Sequence, residues 1–204
     1  MSETDMLIRS RPVYQPLTFD VKGRFNVMIG FGVGASAIEG LVKSAGDRLK
    51  VENTAILISG DESQQHDASL IFAEKSYQQV TCFANAEAIM AFLPSLLKGM
   101  VMGMRMYIAG PEAAIWQTVQ LAKDNGVINE EIAVEARGSF ARRVTCTHCT
   151  ETTSNVTTNI YTCTGCGLTL LVYDHFSRLL SAYMGFRVDA EIPGDLPEKV
   201  EMYR

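Results

Sequence analysis

Four of the chain's five cysteines fall into two pairs, Cys146-Thr-His-Cys149 and Cys163-Thr-Gly-Cys166, separated by thirteen residues. Two residues between cysteines let a tight turn aim both sulfurs at one ion. A second such turn at the far end of a hairpin completes a tetrahedron of thiolates. The opening residues, MSETDMLIRSRP, lack the basic flank and apolar core of an export signal, so the expected compartment is cytoplasmic. Thiols stay reduced there, and the spacing points to a metal or redox site rather than to disulfides. Gly167, directly after the second pair, removes a Cβ where that turn must close, whereas Thr150 stands at the matching place of the first. Structural zinc on Cys146, Cys149, Cys163 and Cys166 is the leading reading, because a domain with a thin core needs such a staple. Zinc binding in comparable peptides supplies about 10 to 16 kcal/mol. A single iron or a two-iron cluster on the same four sulfurs is the alternative. His148 is read as an exposed residue within the knuckle and Cys82 as a small hydrophobe in an apolar strand.

Charge and composition divide the chain near the first pair. Residues 1–136 carry 11 basic and 16 acidic side chains, while residues 137–204 carry seven of each. The expected organisation is an N-terminal arm over 1–24, an α/β domain over 25–136, a four-cysteine domain over 137–190 and an extended tail over 191–204. A net charge of -5 disfavours a polyanion-binding surface, so nucleic acid is not an expected partner. No apolar run reaches the roughly 18 residues of a membrane helix, and no membrane is expected either.

Short β-branched runs in the first part alternate with stretches of helical period, the pattern of a parallel sheet wrapped by helices. Strands are expected at 25–29, 54–58, 80–83, 104–109 and 131–135. Ile38, Leu41, Val42 and Ala45 recur at helical spacing ahead of Gly46, and Ile115, Val119 and Ala122 do so between Pro111 and Gly126. A third helix is expected over 86–93, with Pro94 ending or kinking it. The fold class is therefore a small doubly wound, Rossmann-like sheet. After its first strand comes Gly30-Phe-Gly32-Val-Gly34, opening a helix, a context in which glycines let a phosphate approach the backbone. Such a turn also favours glycine without any ligand. Asp61 and Glu62 are weak candidates for gripping a ribose. Met100, Met102, Met104 and Met106 recur every second residue and read as a packing stripe.

Beyond Gly138 the character changes to Thr-rich alternation around 143–146, 155–163 and 168–173, which predicts short antiparallel strands and a ribbon around the metal. In the segment YDHFSRLLSAYMG, Asp174 beside His175 invites a catalytic reading, but sequence neighbours rarely point at each other, so a surface network is the better account. Phe176, Leu179, Leu180, Tyr183 and Met184 predict a short apolar helix suited to packing. The tail, EIPGDLPEKVEMYR, is expected to be extended or to wrap a partner.

Two resemblances add to this. The stretch 106–135, with strand, Gly110-Pro111-Glu112 turn, helix and final strand, resembles the last unit of the nicotinamide-nucleotide module of ferredoxin reductases. That likeness implies cofactor contacts at Gly30, Gly32, Gly34, Gly110 and Pro111. Ala35, Ser36 and Ala109 depart from the family pattern at contacting positions, which supports the fold better than the activity. The motifs CTHC, CTGCG, LLVYDHFSR, AYMG and VDAEIPG together resemble the small, or A, subunit of bacterial dimethylamine monooxygenase. The resemblance implies a structural or docking subunit of an NADPH- and O2-dependent oxidoreductase, not catalytic alone. Its partners would be reductase and oxygenase subunits carrying flavin, iron-sulfur and haem groups. The competing reading from another class is an electron-transfer module, with iron on the cysteines and a first domain that contacts flavin or nicotinamide.

Overall fold

The computed structural model describes residues 10–73, 75–99 and 103–204. They form two compact units: Tyr14–Gly138, and Ser139–Arg204 together with the described residues up to Val13. No helix among the described residues is long and apolar enough to cross a membrane.

The larger unit holds a five-stranded parallel sheet in the order β3-β2-β1-β4-β5. Its strands are β1 (Phe25–Phe31), β2 (Thr54–Ser59), β3 (Gln79–Phe83), β4 (Met104–Gly110) and β5 (Ile132–Ala136). Because side chains alternate along a strand, each central strand feeds two cores. On one face Met28, Ile56, Ile58, Tyr107 and Ala109 meet helices α1 (Ala35–Ala45) and α2 (Glu62–Phe72). On the other, Val27, Ile29, Leu57, Met106 and Ile108 meet α3 (Ala86–Leu97) and α4 (Glu112–Asp124). Met104 and Met106 belong to this second core, which accounts for half of the methionine stripe; Met100 and Met102 lie outside the described residues.

Two details depart from expectation. Helix α2 has no strong apolar period, since only Ala68 and Phe72 of it are buried. A capping box starts it instead: Asp61 Oδ1 accepts the Gln64 amide at 2.9 Å and Gln64 Oε1 accepts the Asp61 amide at 3.0 Å. Asp61, weighed as a ribose ligand, is thereby engaged as a helix cap, and Glu62 is the first residue of the helix. Helix α3 runs past Pro94 to Leu97. A proline inside a helix costs about 3 kcal/mol, and here Ile89, Leu93 and Leu97, spaced four apart and all buried, outweigh it at about 1.5 to 3 kcal/mol each.

The smaller unit is a second five-stranded sheet, in the order β7-β6-β10-β9-β8. Its strands are β6 (Arg142–Cys146), β7 (Thr152–Val156), β8 (Ile160–Thr162), β9 (Thr169–Ser177) and β10 (Ala182–Arg187). It is not purely antiparallel, because β10 runs parallel to β6. The helix expected around Asp174-His175-Phe176-Ser177-Arg178 is absent. Those residues close β9 and open its turn into β10, with Ala182 opposite Ser177 and Tyr183 opposite Phe176. Alternation along Thr169–Ser177 buries Leu170, Val172 and Phe176, and Ser181 at φ 50° makes the reversal. A helix could not place these three on one face. The tail is not free. Glu201 bridges Thr158, Val200 N–H donates to Asn159 Oδ1 at 2.7 Å, and the Phe140 amide donates to the Arg204 carbonyl at 2.8 Å.

Two glycines in the larger unit give a paired test. A Cβ on Gly34 would lie 2.2 Å from the Ala109 carbonyl oxygen, whereas one on Gly40, in α1, meets nothing within 4 Å. Gly34→Ala is expected to destabilise the unit by about 3 kcal/mol and Gly40→Ala to stabilise it by about 0.5 to 1 kcal/mol. Urea unfolding followed by the emission of Trp116, the chain's single tryptophan, reads both.

Candidate metal centre

The two cysteine pairs occupy the turns from β6 to β7 and from β8 to β9, and the turns are built alike. In the first, the Thr150 amide donates to the Cys146 carbonyl at 3.0 Å and the Cys146 amide to the Glu151 carbonyl at 2.9 Å. In the second, Gly167 donates to Cys163 at 3.0 Å and Cys163 to Leu168 at 2.9 Å. The residue after each pair is left-handed, Thr150 at φ 65° and Gly167 at φ 75°. Glycine adopts that conformation at little cost. A β-branched threonine does so under strain, with its hydroxyl donating to the Cys149 carbonyl at 2.6 Å.

The turns bring all four sulfurs within 4.8 Å of one another. Cys146 Sγ lies 3.8 Å from Cys166 Sγ, and Cys149 Sγ lies 3.6 Å from Cys163 Sγ. A tetrahedron with metal–sulfur bonds of about 2.3 Å has edges of about 3.8 Å, so the donor set fits one four-coordinate ion. Cys146 and Cys163 are each 1% exposed, while Cys149 and Cys166 are half-buried. The Cys149 and Cys163 thiols do not titrate independently. Burial raises Cys163, yet N–H groups of Cys166 and Gly165 and the thiols of Cys149 and Cys166 bring it down to about 7. On Cys149 the Glu151 amide acts downward, but burial and the other three thiols push it up to about 12. The Cys163 thiolate therefore forms readily, whereas the Cys149 thiol resists charging with no cation beside it.

Gly165 is a contributor that spacing alone did not single out. A Cβ there would sit 2.8 Å from Glu151 Cβ and 3.2 Å from Cys149 Sγ, so its bare backbone lets the second turn nest against the first. The only sign of it in the sequence is its place inside the Cys163–Cys166 pair. His148 is exposed, and Cys82 is half-buried with its thiol raised by burial.

A second cluster orders the same sheet. The Arg142 guanidinium is 3.9 Å from the ring centroid of Tyr183 and 3.8 Å from that of Tyr203, a stacked sandwich with a tail residue as one slice. Asp174 accepts from Arg142 Nη2 at 2.7 Å and also pairs with Arg11. His175, on the opposite side of β9, is exposed. Alternation thus separates the Asp-His neighbours and gives the aspartate a structural partner.

The glycines of the larger unit are placed by packing. A Cβ on Gly30 would lie 2.9 Å from Ala35 Cα, and one on Gly110, at φ 148°, would lie 2.7 Å from Phe31 Cβ. Gly30 lets the start of α1 and Ile58 of β2 approach β1, and Gly34 and Gly110 let the turns after β1 and β4 close on each other. Gly32, at φ 52°, faces open space, and Pro111 is the residue before α4.

Comparison with known proteins fits this two-unit plan. The family model for the N-terminal domain of dimethylamine monooxygenase subunit DmmA-like proteins matches residues 6–132, and the corresponding C-terminal domain model matches residues 143–186. The heme-dependent oxidative N-demethylase delta subunit of Ectopseudomonas mendocina (strain ymp) is 33% identical over 111 residues. That match spans 54% of this chain and 63% of the relative. Among solved structures, an Amycolatopsis cytochrome P450 reductase aligns with a TM-score of 0.39 and 16% identity, over 57% of this chain and 38% of that one. Phthalate dioxygenase reductase aligns at 0.44 and 12%, over 68% and 46%.

Two outcomes follow from the smaller unit. Thr150→Gly removes the left-handed strain and is expected to stabilise it by about 1 kcal/mol, seen as a melting point a few degrees higher. Asp174→Asn leaves Arg142 buried beside a neutral partner and is expected to cost about 3 kcal/mol. Burial raises the Asp174 carboxyl, but hydrogen bonds from Arg11 and Arg142 outweigh it and hold it below the usual carboxylate range. Its contribution is therefore complete above about pH 4 and lost as pH falls through the lower folded value. An acid titration of stability should be flatter below pH 4 in Asp174→Asn than in the unaltered chain.

Proposed function

Because the chain belongs to the DmmA-like family of dimethylamine monooxygenase subunits, we propose that it is a structural and docking subunit of a heteromeric oxidative N-demethylase. In this reading the assembly uses NADPH and O2 to demethylate dimethylamine, and flavin, iron-sulfur and haem groups sit on its reductase and oxygenase subunits. This chain contributes a zinc ion held by Cys146, Cys149, Cys163 and Cys166. The observation that carries the reading is the donor set itself. Four converging sulfurs fill a tetrahedral ion completely, and a site without an open position is a structural one. Bound there, zinc would neutralise the thiolates and tie the two turns together. Electron transfer through iron on the same sulfurs is the competing reading.

Docking draws support from the surface of the smaller unit. Leu179 at the β9–β10 turn is 77% exposed, and Ile192, Leu196 and Met202 along the tail are 64%, 52% and 57% exposed. Apolar side chains displayed this openly suit a partner surface. Co-expression with the other subunits of the monooxygenase should return this chain in a complex of fixed stoichiometry. Leu179→Glu combined with Met202→Glu should weaken that association tenfold or more with no change in the melting point of the chain alone. Elution as a free chain in the presence of every partner would overturn the proposal.

A further inference from the structure

The parallel sheet ends at β3 on one side and β5 on the other, and the two edge strands differ in kind. β5 carries Glu135, whose carboxylate accepts Arg137 Nε at 2.6 Å and the Leu17 amide at 2.7 Å. Charged side chains on an edge strand discourage further pairing. β3 has no such guard. Its residues, Gln79-Val-Thr-Cys-Phe83, include no charge and no proline, and they pair with β2 without a register shift. A flat, uncharged edge of this kind is a template for another strand.

The backbone direction of β3 decides which of its groups face outward. The Phe83 carbonyl accepts the Gly60 amide just past β2 at 3.4 Å, so Phe83 turns its backbone groups towards β2. Alternation gives Thr81 and Gln79 the same direction and turns the N–H and C=O of Val80 and Cys82 to the open side. Among the described residues, neither Val80 nor Cys82 makes a backbone hydrogen bond outside the sheet. Helix α2 lies against the same strand, with the Cys82 thiol donating to the Gln65 carbonyl at 3.6 Å. On its last turn Leu70 and Ile71 are 59% and 41% exposed, and Val80 itself is 37% exposed. A lone chain therefore leaves aliphatic side chains in water on the element that borders an unpaired ladder.

We propose that the free edge of β3 docks a second copy of this chain, β3 pairing antiparallel with β3 about a two-fold axis at Thr81. The occupant follows from the strand's fit to its own reversed copy, the self-complementarity that a two-fold interface requires. With Thr81 opposite Thr81, Val80 of each copy faces Cys82 of the other, and every outward N–H and C=O of these residues finds a partner. A slip of one residue sets outward groups against inward ones. A slip of two carries Val80 or Cys82 past the end of the opposing strand. Continued beyond the ladder, the register brings exposed Lys75 of each copy towards exposed Glu87 of the other, opposite charges where like ones would repel. The inference rests on the larger unit alone and is independent of the metal and of the docking reading.

Gel filtration with light scattering on the full-length chain at about 100 μM, where mass action favours association, should give twice the 22.4 kDa of one chain. Val80→Lys puts a charge on the edge and should weaken the dimer at least tenfold, with the circular dichroism of the chain unchanged. Thr81→Cys gives an independent reading if Val80→Lys does not fold. Opposed residues of a non-hydrogen-bonded pair lie about 4.5 Å apart at Cα, within disulfide reach. Mild oxidation of Thr81→Cys should therefore link two copies through the introduced thiol, located by peptide mapping, while the unaltered chain is not linked through Cys82. A monomer at that concentration, a dimer that survives in folded Val80→Lys, or a Thr81→Cys dimer that oxidation does not link at that position would overturn the pairing. So would linkage of the introduced thiol to a co-expressed partner subunit in place of a second copy.

Discussion

The smaller unit depends on the convergence of four sulfurs. Its buried apolar residues are few, chiefly Val144, Ile160, Leu170, Val172, Phe176 and Tyr183, and a core of that size supplies only a few kcal/mol. The two cysteine turns lie at opposite edges of the sheet's connectivity, one closing β6 onto β7 and the other β8 onto β9. Joining them at one point fixes strands that sequence keeps apart. Thiolates within 4.8 Å of one another would repel strongly, so the site the turns assemble is one that could hold a cation. The matched hydrogen bonds, the left-handed Thr150 and the bare backbone of Gly165 all serve that convergence.

The larger unit has a different source of order. Its central strands are buried on both faces, and its turns pack backbone against backbone at Gly34 with Ala109 and at Gly110 with Phe31. The glycines that allow this are the residue type a phosphate-binding turn also needs. A glycine-rich strand-to-helix turn is thus evidence for close approach, and what approaches is settled by neighbours remote in sequence. Here those neighbours include another turn of the same chain and, at Glu112, an acidic side chain already seated at a helix start.

Much of this was legible in advance. Runs of β-branched residues located every strand of the parallel sheet to within two residues, and spacing alone singled out the four cysteines. The unread features share a physical cause, which is that their signals are nonlocal or polar. Helix α2 begins with a reciprocal cap rather than an apolar stripe. Helix α3 continues through Pro94 because the core behind Leu93 and Leu97 favours it. Phe176, Leu179, Leu180 and Tyr183 fit a helical period as readily as a hairpin, and only Ser181 and the pairing partners of β9 decide. The parallel pairing of β10 with β6, and the return of Tyr203 to the Arg142 guanidinium 61 positions earlier in the numbering, are contacts that no local pattern announces.

The proposal that an ion is a structural component of this fold is a claim of composition. Elemental analysis of the purified full-length chain, with protein quantified by amino-acid analysis, tests it most directly. The account predicts one zinc per chain and no stoichiometric iron. One or two irons per chain, or a folded chain with no metal at all, would contradict it.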